Sequence, residues 1–97
     1  MLANKKVQTF NKENIYDHIR KFIKKKSYKS ENTAKSYEAS IRKFFKIVKD
    51  KDTEHLVKSD LDLDSDVFEE FQASLHGQVN NKTINNNIAA VKELIKY

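Results

Sequence analysis

The sequence predicts an all-α domain of four helices, and three observations carry that prediction. The chain of 97 residues has one glycine and no proline, too few turn formers for a sandwich or a barrel. Four stretches repeat apolar residues at the i, i+4, i+7 spacing of a helix face. The one alternating stretch, Asp60 to Asp64, has no second strand to pair with. The length suits a single domain.

The first helix is expected over about 12–26. Ile15, Ile19, Phe22 and Ile23 form its apolar stripe, and Asn11 is its candidate N-cap. Glu13 and Asp17 suit the positive end of the helix dipole, and Lys24, Lys25 and Lys26 the negative end. The second helix is expected over about 31–49, capped by Ser30. Its stripe is Ala34, Tyr37, Ile41, Phe44, Phe45 and Val48. At about 100° per residue the opposite face holds Asn32, Lys35, Ser36, Ala39, Arg42, Lys43 and Lys46.

Residues 50–64 form a longer link, anchored to the core by Leu56, Val57, Leu61 and Leu63. The third helix is expected over about 65–76. Asp64 or Ser65 caps it, and Val67, Phe68, Phe71 and Leu75 make its stripe. Gly77, the one glycine, follows where a left-handed residue stops a helix at least cost. The fourth helix is expected over about 82–97, with Asn80 or Asn81 as cap. Ile84, Ile88, Val91 and Ile95 form its stripe, and Lys82, Asn86, Ala89, Ala90 and Glu93 its outer face. Asn85, Asn86 and Asn87 are poor helix formers, so three together point to work other than stability.

The net charge of +5 is a remainder. Residues 1–50 carry 14 Lys and Arg against 5 acids, whereas residues 51–97 carry 5 against 9. A chain polarised in this way can turn a basic face to phosphates and the acidic side away. Other classes are excluded. Without cysteine there is no disulfide framework and no thiolate metal site. No apolar run approaches the ~20 residues of a membrane span, and no apolar segment follows the N-terminal lysines, so a cytoplasmic location is expected. His18, His55 and His76 have no partner at a metal-binding interval. The acidic link fails as a calcium loop. From Asp60 the glycine and glutamate positions are Ser65 and Phe71, and from Asp62 they are Val67 and Ala73. No nucleophile has a base and an orienting group, so the chain is expected to be no enzyme by itself, with no cofactor.

Two segments carry a family resemblance. The first, residues 30–48, holds Ser30, Thr33 and Tyr37 in the pattern Ser-x-x-Thr-x-x-x-Tyr, followed by Ile41, Arg42 and Phe44. The second, residues 80–97, holds Thr83, Ile84 and Asn85, then Ile88, Ala90 and Val91. Over residues 12–97 the chain resembles the core-binding domain of tyrosine recombinases, the phage-integrase family. Family members often carry arginines where this chain has Asn86 and Asn87.

The resemblance implies a compact four-helix orthogonal bundle of the integrase core-binding, SAM-like type. It implies a module that clamps duplex DNA at a recombination site beside other recombinase protomers, with no membrane and no small-molecule substrate. Arginines, a histidine and a nucleophilic tyrosine would come from a separate catalytic domain, absent from this chain and expected after Tyr97. Tyr97 itself closes the apolar face of the fourth helix. Residues 1–11 would be a linker or a disordered segment, and 12–97 the DNA-binding domain. The parent would be a bacterial or phage protein found on the nucleoid.

Elementary physics supplies candidate contacts. Lys35, Arg42, Lys43 and Lys82 suit phosphates. Asn32, Ser36, Asn81, Asn85 and Asn86 suit phosphates near helix N-termini or base edges, asparagine being able to pair with adenine. The alternative is a helical protein-interaction module, or another nucleic-acid-binding regulator without recombinase function.

Overall fold

In the computed structural model, the structure describes residues 15–97. Four α-helices follow one another: α1 (Ile15–Ser27), α2 (Glu31–Val48), α3 (Ser65–Leu75) and α4 (Asn81–Lys96). Two 3-10 turns, Thr53–His55 and Lys58–Leu61, break the link between α2 and α3. There is no strand among the described residues, so the Asp60–Asp64 alternation is indeed no strand. Asn11 and Glu13, the expected cap and first-turn acid of the first helix, lie outside the described residues, as does segment 1–11.

Three helix starts share one device. Ser30 Oγ accepts the Thr33 backbone N–H at 2.9 Å. Asp64 does the same for Val67 at 3.1 Å, and Asn80 for Thr83 at 2.8 Å. Each side chain satisfies a donor that the first helical turn leaves orphaned. At the other end of α3, His76 (φ −58, ψ 127) and Gly77 (φ +83) occupy the central positions of a turn. The Gln78 N–H closes it on the Leu75 carbonyl at 2.9 Å. These are type II turn angles, which need a positive φ at the third residue and hence favour glycine there. α2 stops without glycine: Asp50 takes φ 54, and the Lys51 N–H turns back to the Phe45 carbonyl at 3.4 Å.

α2 is the hub, packing against α1, α3, α4 and the first 3-10 turn. Its Ile41, Phe44 and Phe45 are fully buried, and Phe44 meets Phe71 of α3 at a ring-centroid distance of 4.8 Å. In the link, Leu56 and Asp60 are buried. Asp60 accepts hydrogen bonds from the Val57 N–H and from Lys51 Nζ, both at 2.9 Å. Burial pushes its carboxyl up, and these two donors outweigh that and hold it below its ordinary range.

The structure corrects three sequence expectations. Val57 is 52% exposed and anchors nothing, because the turn it opens directs its backbone rather than its side chain inward. On α4, Ile95 is exposed and Leu94 is fully buried in its place. Ala90 is buried too, although the outer face was expected to hold it. The physical reason is that α4 is covered on two sides, by α2 and by α3. Its buried arc is therefore wider than one stripe and rotated towards Asn87, Ala90 and Leu94. Asn87 is buried in consequence, and its amide nitrogen has no hydrogen-bond partner among the described residues.

Candidate nucleic-acid interface

The interface begins with the angular positions of side chains on α2. Asn32, Ser36, Ser40 and Lys43 lie within about 40° of one line along the helix. On α4, Lys82 and Asn86 are one turn apart and likewise share a line. Because α2 and α4 pack together, the two lines meet along a groove. Ser36, Tyr37 and Ser40 form one wall, and Asn86, Ala89 and Ala90 the other, around a volume of about 250 Å³. The walls are low because serine and alanine are small.

At one side of this groove three elements are locked together. The Tyr37 hydroxyl donates to Glu93 of α4 at 2.5 Å, and Lys26 Nζ of α1 donates to the other Glu93 oxygen at 2.7 Å. Lys26 also lies over the Tyr37 ring, 4.8 Å from its centroid. The hydrogen bond from Lys26, then that from Tyr37, hold the Glu93 carboxyl below its ordinary range. The same bonds raise the Lys26 ammonium and the Tyr37 phenol. The Glu93 carboxylate beside the groove is thus paired with a cation of α1.

The nine sequence-predicted contact residues do not form one surface. Ser36 and Asn86 line the α2–α4 groove, and Asn32, Lys43 and Lys82 fall on the faces that flank it. Lys35 lines a separate hollow between α1 and α2, with Arg20, Lys24, Ser27, Glu31 and Glu38. Asn81 and Asn85 line a third hollow against α3, with Glu69, Gln72 and His76. Arg42 is held in ion pairs, to Glu54 and to Glu38, both at 3.4 Å. By contrast, Lys35, Lys43 and Lys82 make no ion pair among the described residues. Ser40 and Ala89 belong to the groove walls as well. Sequence reasoning missed Ser40, and its signal was the four-residue spacing from Ser36.

No group of three His, Cys, Asp or Glu residues that could hold a metal ion occurs among the described residues. No described helix is long and apolar enough to cross a membrane.

Fold and groove together define the class: a small all-α domain built around one central helix. Comparison with protein families then identifies it further. The model of the phage integrase N-terminal SAM-like domain matches residues 17–97, and the chain belongs to that family. The family supports a place in a tyrosine recombinase, and the matched domain is the non-catalytic one. No curated protein and no solved structure matches the chain.

Proposed function

We propose that this chain is the duplex-DNA-gripping domain of a tyrosine recombinase, clamping a recombination site while a separate domain performs the chemistry. Residues 12–97 form the gripping domain and 1–11 a linker. Other protomers bind the same DNA beside it, inside a bacterial or phage-infected cell. The single observation that carries the reading is the α2–α4 groove, where Ser36 and Ser40 meet Asn86; by helical spacing Lys43 shares the α2 line and Lys82 the α4 line. Unpaired lysines release counterions from duplex phosphates. Small polar side chains between them leave base edges accessible, with Asn86 suited to adenine. Lys35, on the flank of α2, adds a further phosphate contact. Asn32 stands at the start of α2, where backbone N–H groups favour an anion. Asn81, Asn85 and Arg42 stand at the margin of this surface.

The test is titration of a labelled mixed-sequence duplex with the whole chain at two salt concentrations. Binding that weakens steeply with salt supports the reading. Salt-independent binding, or none by the folded chain at low salt, overturns it in favour of a protein-interaction domain.

A further inference from the structure

One flank of α2 carries a row of three cations, Lys35, Arg42 and Lys46, at spacings of seven and four residues. Two of the three cations are occupied by acids, Arg42 the more closely. Lys35 has no ion pair among the described residues. Lys46 approaches Asp50 at 3.8 Å and Asp52 at 4.0 Å. Arg42 spans Glu38 on its own helix and Glu54 in the first 3-10 turn, twelve residues on. The acidic link thus folds back over the basic flank of the helix that the charge pattern marks for phosphates.

The Arg42 contacts are built to exchange. At 3.4 Å both are longer than the roughly 2.7–2.9 Å of a strong charge-assisted bond. Arg42 and Glu54 are each more than 40% exposed, so water screens their attraction. Neither carboxylate depends on Arg42 alone. Glu38 has a better partner in Arg20 at 2.9 Å. Glu54 is held by its own backbone N–H and by the hydroxyl of buried Thr53 at 3.1 Å. When Arg42 swings away, both acids remain satisfied. The guanidinium can then offer a phosphate the forked geometry it now shares between two carboxylates.

We propose that Arg42 is a switchable phosphate ligand, held by Glu54 of the acidic link in the free domain and transferred to a duplex phosphate on binding. The link is an intramolecular competitor of DNA. It sets the affinity of the domain without touching the groove. This inference rests on the duplex-binding reading above.

The experiment titrates a labelled mixed-sequence duplex with the whole chain in five forms: the natural sequence, Glu54→Gln, Arg42→Gln, the double variant, and Glu70→Gln. The last removes the same charge from an exposed position on α3. Helicity by circular dichroism checks that each variant is folded. Glu54→Gln is expected to bind on the order of three- to tenfold more tightly at low salt. Its log K against log salt should steepen by up to ~0.9, the share of one phosphate met by a free cation. Glu70→Gln should show a smaller gain, and in the Arg42→Gln background the Glu54 effect should shrink to that size. A Glu54→Gln gain no larger than that of Glu70→Gln, or one that survives loss of Arg42, overturns the inference and leaves the duplex-binding reading intact. Failure of the folded natural chain to bind overturns both.

Discussion

Tyr37 of α2 donates its phenolic hydrogen to Glu93 of α4, and the same carboxylate takes a hydrogen bond from Lys26 of α1. One acid therefore ties α1 to the two helices that form the groove. The bond also explains why a tyrosine, and not a phenylalanine, stands at the half-buried edge of the core. Its ring packs edge-on against Phe22 at 5.8 Å while its hydroxyl reaches a charge.

Removing that hydroxyl separates the two roles. Tyr37→Phe keeps the ring and loses a bond that lies near solvent, so it should cost about 0.5–1 kcal/mol. Tyr37→Ala also loses the packing and should cost about 2–3 kcal/mol. Chemical denaturation of both variants measures the difference, and equal losses would assign the whole effect to the hydroxyl and none to ring packing.

The Glu93 network should also give stability a defined pH dependence. Its carboxyl is depressed on folding, so its contribution is present above the unfolded glutamate range and fades as pH falls through the folded value. Lys26 and Tyr37 are raised, so theirs are present below their unfolded values and fade as pH rises through the folded ones. Thermal melting from neutral to acid pH should fall less steeply in Glu93→Gln than in the natural chain. The difference should amount to less than about 1 kcal/mol, because Glu93 is nearly half exposed. Parallel acid curves would contradict the assignment.

Asn87 presents the opposite case, a buried amide nitrogen without a partner among the described residues. Leaving such a donor unsatisfied costs roughly 1–3 kcal/mol. Asn87→Leu removes the amide while keeping the same branched four-atom outline and should leave the domain as stable or more so, read from its denaturation midpoint. A loss of more than about 1 kcal/mol would mean that the amide is satisfied in solution.

Gly77→Ala isolates a backbone effect. No atom lies within 4 Å of the added Cβ, so only the positive φ of 83° opposes it. A loss of about 1–2 kcal/mol is expected, with no change in helicity. A neutral result would show that the turn relaxes.

At the interface, Lys35→Ala with Lys43→Ala should weaken duplex binding and flatten its salt dependence by about two phosphate contacts' worth. Asn86→Ala should relax sequence preference more than it weakens binding to mixed duplexes. An equal loss on all sequences would remove Asn86 from base reading.

The local chemistry of this chain was legible before folding. A capping serine, aspartate or asparagine next to an apolar period marks a helix start whatever surrounds it, and Ser30, Asp64 and Asn80 serve that role. Gly77 marks a stop for the same local reason. Asp50 was not legible, since nothing in an aspartate announces a left-handed φ.

Periodicity gives each residue an angle about its own helix axis. It does not say which neighbour lies at that angle. The sequence by itself determined four helices, their main apolar stripes, the basic first half and the family motifs. Only the tertiary structure decided that Asn86 meets Ser36 across a groove while Asn85, one residue away, turns towards α3. It also decided that Glu54 claims Arg42 and that Asn87 and Ala90 are buried. Each of these outcomes depends on a contact between segments distant in the chain. Such contacts are set by how helices and link pack on one another, and no local pattern records that.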